Sequence, residues 1–241
     1  MALLLLLIVS YVAAFKNISI EKFKSLPIPE FAMHLAGKEL IDYINANQPF
    51  FEAGESKLSY YEFKSRLMQE KYLKIDESLR VAGQDFYEDI PESFDAREQW
   101  PHCKSIQTVR DQANCGSCWA VSSASAMSDR LCIATKGRNQ TFISDTDILS
   151  CCKYCGYGCD GGYMIESWYY LKTTGACSGG PYGTTGNCKP YAFHPCGHHE
   201  NQTYYGECEK ANEDTPACRA KCQTGYSKAY AKDKIYGKSY E

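Results

Sequence analysis

Apolar positions in this chain keep three different rhythms. Residues 2–9 are continuously apolar and Val12-Ala13-Ala14 follow as a small-residue exit, the pattern of a secretory signal peptide over residues 1–14. The run is far shorter than the roughly 20 apolar residues that span a bilayer, so no membrane anchor is expected. Between residues 15 and 89 the rhythm is helical. Ala32, Leu35, Ala36, Leu40, Tyr43 and Ile44 fall at helical spacing, with Glu39 the one misfit; Pro29 suits the start and Pro49 lies beyond the end. A second helix is expected over 60–73, through Phe63 and Leu67. Two such helices bury little core alone, so this segment is expected to lean on the residues after it.

From Ile90 the pattern turns to aromatics, turns and cysteines. A helix is expected from Cys118 to about Thr135, with Ala120, Ala124, Met127 and Leu131 on one face. Another begins at Ser144, whose hydroxyl can cap the first turn while Asp145 and Asp147 favour the helix dipole. Gly161-Gly162 leads into a third, over 163–173. Residues 178–217, dense in Gly, Pro, Cys and Tyr, read as bridged loop. The chain shows neither an internal repeat nor a low-complexity tract.

Cysteine usage places the chain in an oxidising compartment. All 14 cysteines lie between Cys103 and Cys222, and such density behind a signal peptide reads as disulfide-bridged. Glycosylation sequons at Asn17, Asn139 and Asn201 fit passage through the secretory pathway. A net charge of -3 and the lack of a basic run exclude a nucleic-acid partner.

The candidate chemistry sits in Gln112-Ala113-Asn114-Cys115-Gly116-Ser117-Cys118-Trp119. A cysteine attacks a carbonyl as thiolate, and a helix amino terminus at Cys118 helps to stabilise that charge. A histidine must supply the rest and protonate the leaving group. Gln112, six residues earlier, offers a side-chain amide to the oxyanion beside the Cys118 backbone N–H. The competing reading is a redox or zinc site, because Cys115/Cys118 and Cys152/Cys155 share a C-x-x-C spacing and His198-His199 could complete a metal set. The polar loop before Cys115 and the oxidising compartment favour the nucleophile, with no metal and no cofactor.

Several further motifs carry a resemblance. Ile90-Pro91-Glu92-Ser93-Phe94-Asp95-Ala96-Arg97, Arg110-Asp111-Gln112, Cys151-Cys152, Cys159-Asp160-Gly161-Gly162-Tyr163, Asp214-Thr215-Pro216 and Lys232-Asp233-Lys234 stand beside the Cys118 motif. With His198-His199 inside Pro195-Cys196-Gly197-His198-His199-Glu200, the chain resembles the cathepsin B branch of the papain-family cysteine proteases.

That resemblance implies an α+β, two-domain papain-like fold and a likeness to the short propeptide of this branch over 15–89, ahead of an incomplete peptidase domain over 90–241. It implies endopeptidase and dipeptidyl carboxypeptidase action on protein and peptide substrates, a monomer, and cystatin-type inhibitors as partners. Gly161 and Gly162 would line the cleft, His198 and His199 would hold a substrate's terminal carboxylate, and His198 would pair with Asp111. The implied disulfides are Cys103–Cys132, Cys115–Cys159, Cys151–Cys218, Cys152–Cys155, Cys188–Cys222 and Cys196–Cys208, leaving Cys177 over.

The family's histidine and asparagine are expected roughly 130–150 residues or more past the nucleophile, at about position 248 or later. The sequence ends at Glu241, and none of His34, His102, His194, His198 and His199 lies in the expected context. The expectation is therefore a left helical domain with its occluding loop, a right β-barrel domain mostly absent, and a chain inactive as given. It is read either as part of a working protease or as an inactive, disulfide-rich binding or decoy protein.

Overall fold

The computed structural model describes residues 18–73, 91–199, 201–208 and 212–238. The expected signal peptide, the Asn17 sequon, Ile90 and Glu200 lie outside them. Contacts divide the chain into two units, Met1–Ser59 and Tyr60–Glu241.

In the first unit, α1 (Ile20–Lys24) is capped by the Ser19 hydroxyl, which accepts from the Lys22 amide at 3.3 Å. The single helix expected across Ala32–Ile44 is instead a 3-10 turn, Glu30–His34, followed by α2 (Gly37–Asn47). Leu35 and Ala36 between them are extended. Gly37 enters α2 at φ 53, a left-handed conformation that glycine adopts without steric cost and that breaks the helical path. Edge-to-face pairs Phe23–Phe50 and Phe31–Tyr43 hold these pieces together.

The core belongs to the second unit. After α3 (Tyr60–Ser65) and the short α4 (Ala96–Gln99), α5 (Cys118–Ala134) buries Trp119, Ala120, Ala124 and Met127. It packs against α6 (Asp145–Cys151) and α7 (Met164–Thr173). Ile148 and Leu171 fill the space between, both fully buried. The Trp119 ring is anchored by its Nε1–H, which donates to the Gly158 carbonyl at 3.0 Å.

Ser144 caps α6, its hydroxyl accepting from the Asp147 amide at 3.0 Å. The two acids of that helix do more than face its dipole. Asp145 forms a buried ion pair with Arg110 at 2.8 Å. Asp147, with no exposed side-chain surface, receives Lys189 at 2.5 Å and Lys234 at 2.8 Å. Burial alone would raise the Asp147 carboxyl, but attraction by Lys189 and Lys234 outweighs it and holds the group below its ordinary value. Lys234 leads out of α8 (Tyr230–Asp233), so this charge cluster ties the end of the described chain to the core.

Among the described residues there is no named strand, only isolated bridges at Ile143–Ser178, Gly156–Gly162 and Ala176–Ile235. No described helix is long and apolar enough to cross a membrane. Covalent bridges carry much of the loop architecture instead: Cys103–Cys132, Cys115–Cys159, Cys151–Cys218, Cys152–Cys155, Cys188–Cys222 and Cys196–Cys208. Each shrinks the unfolded ensemble, most strongly for the long Cys151–Cys218 loop of 67 residues.

Candidate active site

Cys118 is the first residue of α5, half-buried and unbridged. Cys115 pairs with Cys159 and Cys152 with Cys155, so these thiols are unavailable for the redox pair or zinc set that their spacing allows. Main-chain donors of Trp119, Cys118 and Met68 favour the charged form of the Cys118 thiol. Burial pushes the thiol up from its ordinary value by more than these three donors pull it down. No imidazole among the described residues of this unit acts on it.

Met68 belongs to the stretch expected to continue a helix to Leu73. The helix stops at Ser65 in a turn over Arg66 and Leu67, and after two residues without regular structure a 3-10 turn, Glu70–Leu73, follows. The reason lies in where the backbone bonds go. The Arg66 carbonyl accepts the Gln112 side-chain amide at 2.7 Å, and the Gln69 N–H donates to the Asp160 carbonyl at 3.0 Å. In a helix both groups would bond within the helix itself. The site takes them instead, and the segment crosses Cys118 as a strap.

Gln112 therefore does not stand with a free amide. Its Nε2 donates to both the Arg66 and the Cys115 carbonyls, the latter at 3.0 Å. A peptide carbonyl of the chain itself occupies the donor that sequence reasoning reserves for an oxyanion.

The glycines explain how close the strap comes. A methyl group at Gly116 would overlap the Cys159 carbonyl and meet Leu67 and Met68 at 3.1 Å. Gly161, at φ 126, has the Tyr72 ring where a side chain would stand, and Gly162 backs onto the Trp119 ring. Tyr72 is buried there, edge-to-face with Tyr163 at 5.0 Å, and Lys71 lies over its ring. The structure thus brings Cys118, Gln112, Gly161 and Gly162 to one strip of surface, covered by residues 65–73.

Residues 212–215, which carry no chemical signature, brace this strip. Asn212 donates to the Cys159 carbonyl, Thr215 accepts from the Cys159 amide, and the Glu213 amide reaches Asn114, all at 2.8–2.9 Å. Arg110 fixes the start of the Gln112 segment through Asp145, the Ile143 carbonyl and Ser128.

The hairpin closed by Cys196–Cys208 carries the paired histidines, and here one expectation is corrected. The imidazole facing Asp111 is that of His199, with Nε2 3.2 Å from the carboxylate and 2.9 Å from the Cys196 carbonyl. His198 stacks face to face on Tyr204 at 4.0 Å instead. With the face of His198 against Tyr204, the Asp111 contact falls to His199, which the Cys196 carbonyl also holds. Asn201, in the same hairpin, is exposed with φ 60, whereas Asn139 is half-buried and receives the Thr141 amide. Cys177, the cysteine left over, is free and fully buried.

Residues 90–240 match the papain family of cysteine proteases. Cathepsin B-like cysteine proteinase 1 of Ostertagia ostertagi is 46% identical over 94% of this chain and 67% of that protein. Cathepsin B-like cysteine proteinase 6 of Caenorhabditis elegans is 39% identical over 97% of this chain and 65% of that protein. A solved structure, proCathepsin B S9 from Trypanosoma congolense, shares the fold with a TM-score of 0.57 and 33% identity, over 78% of this chain and 59% of that one. The chain thus spans about two thirds of the length of these relatives. On these grounds it belongs to the papain family of cysteine proteases and stands among the cathepsin B-like members.

Proposed function

We propose that this chain is the Cys118-bearing part of a cysteine peptidase made as a zymogen, with endopeptidase and dipeptidyl carboxypeptidase action. The observation that carries the reading is the peptide carbonyl of Arg66 held by the Gln112 side-chain amide, which also donates to the Cys115 carbonyl three residues before Cys118. A site that binds its own main chain there can bind a substrate's. In catalysis Cys118 attacks the scissile carbonyl, while the Gln112 amide and the Cys118 N–H hold the oxyanion. Proton transfer requires a base acting on the thiol, which no imidazole among the described residues of this unit supplies. His198 and His199 serve as donors for a substrate's terminal carboxylate when protonated. Residues 15–89 act as the propeptide, passage is through the secretory pathway, and Asn17, Asn139 and Asn201 are glycan acceptors.

One observation favours a second reading, a disulfide-rich binding protein without turnover: burial holds the Cys118 thiol neutral. A peptidyl epoxide separates the two. Covalent labelling at Cys118, release of dipeptides from a peptide's carboxyl end, and loss of both in Cys118→Ala support the peptidase. Labelling without peptide cleavage supports the binding protein, and no labelling even in Tyr72→Ala, which loosens the strap, defeats the nucleophile assignment.

A further inference from the structure

Ser117 occupies the N-cap of α5, where a serine hydroxyl ordinarily accepts a hydrogen bond from a first-turn amide. Here it makes no such cap. Its Oγ lies 2.7 Å from the Tyr191 hydroxyl, and that hydroxyl donates to the Gln112 carbonyl, also at 2.7 Å. A phenol has one proton, so the serine is the donor in the first of these bonds. The result is a directed chain from Ser117 through Tyr191 to Gln112. It is sealed from solvent, with Ser117 fully buried and Tyr191 4% exposed, and Phe193 packs edge-to-face on the tyrosine ring.

The consequence falls on the end of α5. The amides of Cys118 and Trp119 belong to the first turn of α5, and their donors favour the charged form of the Cys118 thiol. A serine hydroxyl turned onto the helix end would take the second of these amides, that of Trp119, away from the thiolate. The same tyrosine fixes the backbone of Gln112, whose side chain reaches the other side of the site.

We propose that Tyr191 is a positioning residue for the nucleophile: it draws the Ser117 hydroxyl off the helix end and pins the Gln112 carbonyl, leaving the Trp119 amide to the Cys118 thiolate. The inference rests on the reading of Cys118 as nucleophile. Burial, reinforced by Asp145, Asp111 and Glu213 and opposed by the Ser117 hydrogen bond, raises the phenol above its ordinary value, so it remains a donor at neutral pH.

The test is the pH dependence of Cys118 alkylation by iodoacetamide in the full chain, read by mass spectrometry on the Cys118 peptide. Tyr191→Phe keeps the packed ring and loses the hydroxyl. It is expected to move the titration midpoint up by about one unit, an approximately tenfold slower reaction below the midpoint. Ser117→Ala, placed in the Tyr191→Phe background, is expected to restore most of the shift, because no hydroxyl remains to cap the helix. An unchanged midpoint in Tyr191→Phe overturns the proposal, as does a double variant displaced as far as Tyr191→Phe alone. A slowing equal at every pH, with no midpoint shift, overturns it as well. Failure of the peptidyl epoxide to label Cys118 even in Tyr72→Ala defeats the peptidase reading separately, while the alkylation midpoints still decide the role of Tyr191.

Discussion

Neighbouring residues, Asp111 and Gln112, receive two segments held by different kinds of bond. The strap over 65–73 reaches Gln112 through the main-chain carbonyl of Arg66, and its Gln69 amide grips the Asp160 carbonyl. The Cys196–Cys208 hairpin reaches Asp111 through the side chain of His199, a contact that carries charge only when the imidazole is protonated. The first attachment is indifferent to side-chain identity and to proton concentration. The second depends on both. One segment is held by peptide groups, the other by an imidazole and a carboxylate.

The largest effect should come from the root of the hairpin. Lys189, one residue past Cys188, and Lys234 share the buried Asp147. Asp147→Asn leaves two buried cations short of a counter-charge and is expected to cost about 3–5 kcal/mol, read as a lower urea midpoint. The direction of the pH effect is set by the depressed carboxyl. Its stabilising contribution is present above the unfolded carboxylate range and is lost as pH falls through the folded value. Wild-type stability should therefore drop on acidification below about pH 4, and the Asn variant should drop less.

Next in size is the anchor of the strap. Tyr72→Ala removes a buried ring packed on Gly161 and Tyr163. Loss of about 3 kcal/mol of packing should open the strap roughly a hundredfold more often, measured as faster alkylation of Cys118. Alkylation at the wild-type rate would mean that the main-chain bonds alone hold the segment. Asp111→Asn should act modestly, because both partners of the His199 pair are over a third exposed and such pairs contribute about 0–1 kcal/mol. Proteolytic nicking within the hairpin should rise no more than about fivefold. The smallest effect is expected at Arg66→Ala and Gln69→Ala, which leave the bonded backbone groups in place and should keep Cys118 alkylation within about twofold. A large change at either position would break the distinction between the two segments.

How much of the fold and site is legible in the sequence obeys the same division. Features written as side-chain identity came through: the helix starting at Cys118 and the Ser144 cap. Those depend on chemistry carried by the residue itself. The break after Ser65 was not legible, since residues 60–73 have a helical apolar pattern and only a distant partner redirects their backbone bonds. Nor was the exchange of roles between His198 and His199, which is decided by a ring stack on Tyr204. Tyr191 is one of 19 tyrosines, and nothing local marks it. Asn212 and Thr215 likewise act through a fold that brings them more than fifty residues back to Cys159.

The main-chain grip on the strap has an evolutionary consequence. Arg66 and Gln69 meet Gln112 and Asp160 through main-chain atoms, so any residue at 66, and any but proline at 69, can make the bonds that hold the strap. The length of that stretch and the anchor at Tyr72 set where the peptide groups arrive. Divergent relatives could then keep the same gate with unrelated residues in it, and a similarity score over those positions would underestimate how well the gate is preserved.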